Sequence, residues 1–255
     1  MAADVRIGTS GWHYKHWCGP FYPGRCTAPK MLEFYLRHFD TVEINNSFYR
    51  LPSEETFAGW RQQTPPGFYF AVKASRFITH NKKLNDPENA LANFLPRAEA
   101  LREKLGPVLF QLPPNWNANL ERLEQFLRVL PKGKRRRYAF EFRNPTWLTD
   151  EVCAVLRRHN AAFCMFDLAG FQTPLEVTAD WTYIRLHGPG GKYQGSYTTE
   201  QLRAWAGRIR RWARTLRGIY VYFDNDQAGY AAQNALELKR LLSDIVKQGP
   251  AHAAA

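Results

Sequence analysis

Tyr138-Ala139-Phe140-Glu141-Phe142-Arg143-Asn144-Pro145 is the stretch that decides the fold. Side chains alternate faces along a strand. Tyr138, Phe140 and Phe142 therefore make one aromatic face, and Ala139, Glu141 and Arg143 make the other, which ends in a carboxylate and a guanidinium. Asn144-Pro145 stops the strand. Apolar bulk on the outward face, with charge saved for the C-terminal end, is the pattern of a parallel barrel strand that feeds a site at the barrel mouth.

The rest of the chain repeats it. Strands are expected at Val5–Ser10, Thr41–Asn45, Phe68–Lys73, Val108–Leu112, Ala162–Asp167, Trp181–His187 and Ile219–Asp224, which with the first stretch makes eight. Apolar residues at helical spacing predict helices after Pro29, over Ser53–Trp60, Pro87–Leu105, Leu120–Leu130, Thr149–His159 and Thr199–Arg217, and from about Ala228 to Val246. Ser75–Asp86 reads as a polar, basic loop. Eight strands alternating with helices in 255 residues predict an α/β fold, a single TIM-type (β/α)8 barrel over residues 1–247 with a disordered tail at 248–255. An open doubly wound sheet is the alternative; no G-x-G-x-x-G follows the first strand, which disfavours a dinucleotide fold.

Composition bounds the function more loosely. No run of about 18 apolar residues exists, so no membrane span is expected. Met1-Ala2-Ala3-Asp4 leads into a strand without a signal peptide, and Cys18, Cys26, Cys153 and Cys164 lack C-x-x-C spacing. A cytoplasmic protein with reduced thiols is the expectation. The net charge of +12 favours an anionic partner, against the bland alternative of an arginine-rich composition. The run from Lys132 to Arg137 precedes a strand and so belongs to the N-terminal face. Arg203, Arg208, Arg210, Arg211, Arg214 and Arg217 read as a solvated helix face. Arg76, His80, Lys82 and Lys83 follow the third strand at the mouth, which makes them the better anion candidates. Trp12, Tyr14, Trp17, Phe21 and Tyr22 border the mouth as stacking surfaces or as a packed lid.

Strand parity points Ser10, Glu43, Asn45, Lys73, Gln111, Glu141, Arg143, Asp167, Arg185, His187 and Asp224 inward near the C-terminal ends. Unpaired buried charge is costly, so these groups are paired, hydrated or waiting for a ligand. The bland solution is a self-satisfied ion network: Glu43 with Lys73, and Glu141 with Arg143 or Arg185. In the functional solution Glu43 and Glu141 do acid/base work, His187 shuttles a proton, and Lys73 neutralises an anion or forms a Schiff base. Arg143 and Arg185 hold a carboxylate or phosphate. Gly188–Gly191 supplies a flexible loop that closes on substrate or binds phosphate through its backbone amides, although it is not a P-loop. No cofactor is expected; a divalent metal on Glu43, Glu141, Asp167 and His187 is the alternative, without a close-spaced histidine pair to support it.

Gly8-Thr9-Ser10-Gly11-Trp12, Phe21-Tyr22-Pro23, Thr41-Val42-Glu43-Ile44-Asn45 and Ser47-Phe48-Tyr49-Arg50-Leu51-Pro52 together resemble domain-of-unknown-function family 72, the YecE-like proteins. Further matches are Lys73-Ala74, Ile78-Thr79-His80, Leu84, Leu109 to Pro114, Glu141-Phe142-Arg143, Trp147, Arg185-Leu186-His187-Gly188 and Tyr222-Phe223-Asp224-Asn225-Asp226. The resemblance spans nearly the whole chain and implies a TIM-type barrel; it carries no reaction. Asp224 stands where the family usually has asparagine, so the resemblance does not mark that acid as essential. Likeness to sugar isomerases and apurinic endonucleases is analogy of fold.

The leading expectation is an enzyme with a polar, anion-accepting pocket, using acid/base chemistry on a phosphorylated, sugar-like or carboxylate substrate. Its catalytic residues are Glu43, Glu141, His187 and Lys73. Substrate contacts fall to Ser10, Trp12, Tyr14, Asn45, His80, Gln111, Arg143, Asp167, Arg185, Asn225 and Asp226. The alternatives are a nucleic-acid-binding protein, as a metal-dependent nuclease or repair factor, and a non-catalytic small-molecule binder. The sequence sets no oligomeric state.

Overall fold

In the computed structural model, which describes residues 3–133 and 135–246, the strands are β1 (Asp4–Thr9), β2 (Thr41–Ile44), β3 (Tyr69–Lys73), β4 (Leu105–Leu112), β5 (Tyr138–Phe142), β6 (Ala162–Leu168), β7 (Phe171–Gln172), β8 (Trp181–Leu186) and β9 (Gly218–Phe223). Their order is β1-β9-β8-β6-β5-β4-β3-β2, with the two-residue β7 antiparallel on β6. The end members β1 and β2 are bridged at Ser10 and Glu43, where the Gly11 N–H donates to the Glu43 carbonyl at 2.8 Å. The fold is the expected (β/α)8 barrel. The expected tail at 248–255 lies outside the described residues.

The chain divides into two compact units, Met1–Glu43, Phe166–Thr173 and Tyr183–Ala255 in the first, and Ile44–Met165 and Pro174–Thr182 in the second. In the first, β1 runs parallel to β9 from Asp4 opposite Gly218 to Thr9 opposite Phe223. Helix α1 (Ala28–His38) starts with Pro29 in its first turn, where a missing N–H costs nothing. It buries Met31, Leu32 and Tyr35. The Tyr35 hydroxyl accepts from the Thr9 N–H at 3.1 Å and donates to the Thr41 carbonyl at 3.0 Å, tying β1 to β2. Helix α7 (Thr199–Trp212) opens with a capping box between Thr198 and Gln201. Leu202, Trp205, Ala206 and Ile209 are its buried stripe. Helix α8 is Tyr230–Leu241.

In the second unit β3, β4, β5 and β6 are parallel neighbours, with Gln111 opposite Glu141 and Phe140 opposite Phe163. Helices α2 (Glu54–Gln63), α5 (Leu120–Val129) and α6 (Asp150–Arg158) are capped by Ser53, Asn119 and Thr149, whose side chains accept from the backbone three residues on. The aromatic face of β5 behaves as its alternation predicts. Phe140 stacks on Phe110 at 5.2 Å and meets Phe126 of α5 edge-on, while Phe142 stacks on Trp147 at 5.0 Å.

Several boundaries differ from expectation. The expected helix Pro87–Leu105 is two short helices, α3 (Pro87–Ala92) and α4 (Leu95–Glu99), then a 3-10 turn at Arg102–Lys104. Pro96 lacks the N–H a continuous helix would use and clashes with the preceding turn. β4 consequently starts at Leu105 and contains Gly106-Pro107. A register shift between Phe70 and Val72 of the partner strand accommodates the donor-less proline. The loop Ser75–Asp86 contains a π-helical turn, Phe77–Asn81, closed by the Lys82 N–H on the Phe77 carbonyl five residues back at 2.8 Å. Helix α7 stops at Trp212, five residues before the expected Arg217. Helix α8 starts at Tyr230, because Ala228 (φ 54°) and Gly229 (φ 77°) are left-handed.

The barrel closes tightly at β1: a Cβ on Gly8 would stand 2.4 Å from the Thr41 carbonyl oxygen. Gly8→Ala is expected to lower stability by about 1–3 kcal/mol through this backbone clash. Gly207→Ala, in α7 with nothing closer than 4.0 Å to the new Cβ, is expected to raise it by about 0.5–1 kcal/mol. Urea unfolding midpoints of the two variants against the parent read both signs.

Candidate functional site

The C-terminal ends of β1, β2, β8 and β9 carry a buried ionic cluster in the first unit. Glu43 and Arg185 are both fully buried. Arg185 grips the carboxylate with two nitrogens, Nε to Oε2 at 3.0 Å and Nη2 to Oε1 at 2.7 Å. This bidentate geometry is among the strongest that side chains make. Ser10 Oγ donates to Oε1 at 2.5 Å and the Tyr183 hydroxyl to Oε2 at 2.6 Å, so four donors converge on one carboxylate. Burial and the Glu43 charge push the Tyr183 phenol well above its ordinary range, which keeps its hydrogen in place.

Arg185 has a second acid. Its Nη2 reaches Asp224 Oδ2 at 3.0 Å, and the same oxygen lies 3.0 Å from His187 Nδ1. His187 Nε2 is 3.4 Å from Arg185 Nη1. Arginine has no acceptor, so the nitrogen facing it is the lone-pair nitrogen, and Nδ1 carries the hydrogen directed at Asp224. The imidazole sits between the rings of Phe166 at 5.9 Å and Tyr193 at 5.4 Å, both edge-on.

Tyr14, Asp167 and Asp226 are half-buried beside this cluster's strand ends. The Tyr14 hydroxyl donates to the Ser10 carbonyl at 2.7 Å; burial, then Asp224, Asp226 and Glu43, raise its pKa. Burial raises the carboxyl of Asp167, and burial followed by the Asp224 charge raises that of Asp226. Of the expected mouth aromatics, Trp17 and Tyr22 are fully buried and Phe21 packs on Phe34 and Phe39. Trp12 and Tyr14 stay half-buried at the strand ends. Asn225 turns away from the ions: its amide nitrogen donates to the Gly195 carbonyl at 2.8 Å and to Asn234 Oδ1 at 2.9 Å.

That contact anchors the loop after β8 at Gly195. Gly191 and Gln194 pair as a tight hairpin, and the Gly188 N–H donates to the Tyr197 hydroxyl at 3.0 Å. Gly188 has φ 107°, and a Cβ there would meet the Gln194 carbonyl at 2.2 Å, so only glycine fits.

The second unit holds the other expected residues. Glu141 is fully buried and accepts from Arg143 Nε, with Cys164 Sγ 3.9 Å from its other oxygen. This is one of the two pairings foreseen for Glu141. Lys73 is buried with its ammonium 4.3 Å from the Phe48 ring centre. His80 stands edge-on to Phe48 at 4.9 Å and shares a 2.9 Å hydrogen bond with Thr79. Burial, then Lys73 and Arg76, push its pKa down to about 4. Gln111 and Asn45 are half-buried. Among the described residues no group of three or more His, Cys, Asp and Glu side chains is placed to hold a metal ion, so Glu43, Glu141, Asp167 and His187 form no such set.

Three participants were not foreseen in these roles. Tyr183 shares the face of Arg185 and His187, a signal the alternation of β8 already contains. Asp224 has inward parity but occupies a position the family resemblance gives to asparagine. Tyr193 has no signal in the sequence; only the hairpin turn brings it onto His187.

Fold and strand-end cluster together define a TIM-type barrel with an ionic site on the C-terminal ends of its strands. Within that class the chain belongs to the family described as "Protein of unknown function DUF72", whose sequence pattern matches residues 6–254. It is 25% identical to the UPF0759 protein YunF of Bacillus subtilis, with 96% of each chain covered. It is 32% identical to the UPF0759 protein YecE of Escherichia coli K12 over 55% of this chain and 49% of that one. A DUF72 family crystal structure from Thermotoga maritima superposes with TM-score 0.85 at 30% identity, covering 94% and 99% of the two chains. Another, from Enterococcus faecalis, has TM-score 0.78 at 20% identity, covers 94% and 95%, and shares the fold. Among the described residues no helix is long and apolar enough to cross a membrane.

Removing one partner of a buried pair leaves the other uncompensated. Arg185→Met is expected to cost about 3–5 kcal/mol. Adding Glu43→Gln should cost less than the sum of the singles by about 1–3 kcal/mol; a double-mutant cycle in urea measures it, and strict additivity would show that the two groups do not interact.

His80 provides a pH signature. The unfolded imidazole ionises near 6.5 and the folded one at about 4, so between those values the unfolded chain binds more protons. Stability is expected to fall as pH drops from about 6.5 towards 4 and to be flat in this respect above it. His80→Gln should flatten part of that slope, and NMR titration of the imidazole should give its folded pKa directly.

Proposed function

We propose that the protein is a cytoplasmic enzyme that moves a proton on a sugar-like, hydroxyl-bearing substrate at the strand ends of the first unit. The observation that carries this is the Asp224–His187–Arg185 arrangement: a carboxylate holds one imidazole nitrogen, and the lone pair of the other rests on a long 3.4 Å contact with Arg185 that a substrate proton displaces. Glu43, with four donors on it, acts as the positioning residue that fixes Arg185. This changes its role from the acid/base work expected from parity. His187 takes the proton, Asp224 stabilises the imidazolium that forms, and Arg185 supports negative charge developing on a substrate oxygen. The half-buried carboxyls of Asp167 and Asp226, with the flat faces of Trp12 and Tyr14, suit hydroxyl groups and a sugar ring. Tyr193 covers the imidazole, so the hairpin moves for substrate to enter.

The test is a panel of aldoses, ketoses and their phosphates incubated in D2O with the protein and followed by proton NMR. Loss of a carbon-bound proton signal is expected for at least one compound. His187→Gln and Asp224→Asn should each slow it by about 100-fold or more. Tyr14→Phe should alter KM more than kcat. Exchange that survives His187→Gln at the parent rate would sink the assignment.

A separate observation favours an anion on the second unit. Burial first, then the charges of Lys73 and Arg76, depress His80 against an opposing Glu141, and the two cations contribute positive potential at the ring. An anion bound at these groups would cancel part of that potential. Phosphate at millimolar concentration is therefore expected to raise the His80 titration midpoint, and Lys73→Met should abolish the rise.

A further inference from the structure

We propose that the protein has a second ligand site, for a nucleoside phosphate, at the N-terminal ends of β5 and β6. A cavity of about 300 Å3 opens there in the second unit, with Pro131, Lys132, Arg136, Tyr138, Arg158 and His159 among its walls. In this fold chemistry is seated at the other strand ends, so nothing in the proton-transfer function uses this cavity.

Its chemistry divides into two parts. The first is cationic. Arg136 Nη2 meets Glu99 Oε1 at 2.8 Å and Arg158 Nη2 meets Glu124 Oε2 at 2.8 Å. Glu124 also takes His159 Nε2 at 2.9 Å and Arg128 Nε at 3.4 Å. Hydrogen bonds from His159 and Arg158 hold its carboxyl at about 2, so it stays charged. Two carboxylates thus answer Arg128, Arg136 and Arg158, and no described carboxylate pairs with the exposed Lys132. Positive charge left over on a concave surface focuses potential where an anion can enter. Each cavity arginine uses one of its five donors on its carboxylate, and the others are the geometry that phosphate oxygens accept.

The second part is flat and apolar. Tyr138 is half-buried, and its hydroxyl donates to the Pro131 carbonyl at 2.9 Å, which locks the ring as a wall. The Arg136 N–H closes a turn on the Gly133 carbonyl at 3.0 Å, bringing Lys132 and Arg136 to one rim. Pro131, Tyr138 and the half-buried His159 ring offer faces to a planar base. The volume lies at the small end of ligand sites, enough for one nucleotide and too small for a strand.

The experiment is calorimetric titration of the full chain with ADP at low salt, alongside adenosine, inorganic phosphate and a dT oligonucleotide, and NMR mapping of the ADP complex. ADP is expected to bind saturably and to shift the signals of Tyr138 and His159. Adenosine and phosphate should each bind at least tenfold more weakly. Lys132→Glu and Arg158→Glu should each weaken ADP at least tenfold, and Arg135→Glu, the same charge change outside the lining, by no more than about twofold. Absence of saturable ADP binding, or affinity that drops equally with Arg135→Glu, would overturn the site. Phosphate as tight as ADP, or an oligonucleotide tighter than ADP, would overturn the nucleotide assignment. Since His187→Gln leaves this cavity untouched, failure here and failure of the proton-transfer assignment are separate results.

Discussion

The buried pair of Glu43 and Arg185 is the interaction on which the site depends. Two charges taken fully out of water carry a desolvation penalty of several kcal/mol each, and their mutual attraction offsets it only when every remaining lone pair and N–H is satisfied. That condition explains the company they keep. Ser10 and Tyr183 saturate the Glu43 oxygens, and the Arg185 Nη2 that binds Glu43 also donates to Asp224. The satisfied network in turn dictates strand register. Ser10 reaches Glu43 only because β1 and β2 bridge at those two residues. That closeness is possible only because Gly8 has no Cβ to strike the Thr41 carbonyl. One glycine, two strands and one ion pair are therefore a single constraint.

The same constraint suits the proposed chemistry. An arginine held by two carboxylates cannot swing, and a histidine whose Nδ1 faces Asp224 has its tautomer set before any substrate arrives. Pre-organised groups do not have to reorient during reaction, which is where most electrostatic catalysis originates. A self-satisfied ion network and a functional site are thus not exclusive solutions here. The fully buried side of the cluster is saturated, and the atoms that the proposed reaction uses lie towards Asp224 and the hairpin.

How much of this was legible in the sequence follows from which part of it was local. Alternation along each strand puts Ser10, Glu43, Arg185, His187 and Glu141 on the inward face, and all are buried there. The partners were not legible. Glu43 and Arg185 lie 142 residues apart, and parity gives a face without giving a neighbour. Lys73 was the partner foreseen for Glu43, and the register of β1, β2 and β8 supplies Arg185. Tyr183 was visible on the right face but is an aromatic, which reads as core. Asp224 was visible too, and the family's asparagine drew attention from it. The π-helical turn at Phe77–Asn81 and the Gly188–Tyr197 hairpin have no periodicity to read, whereas Pro96 carried a signal for the break that the expected single helix Pro87–Leu105 passed over.

Charge shows the same division between sum and placement. The formal +12 says little about the strand ends of the first unit, where Asp224 pairs with Arg185 and the half-buried Asp167 and Asp226 add further negative charge. Much of the excess is ordinary surface: Arg210 pairs with Asp244, and Arg208 lies over the Trp205 ring. Exposed pairs of this kind are worth about 1 kcal/mol or less, and evolution can vary them at little cost. A concave wall is different. Cations gathered around a cavity and sharing few carboxylates add their potentials on its concave wall, where an entering anion meets them together. Lys132, Arg136 and Arg158 are placed in that way, on the strand ends that a barrel enzyme leaves free of catalysis.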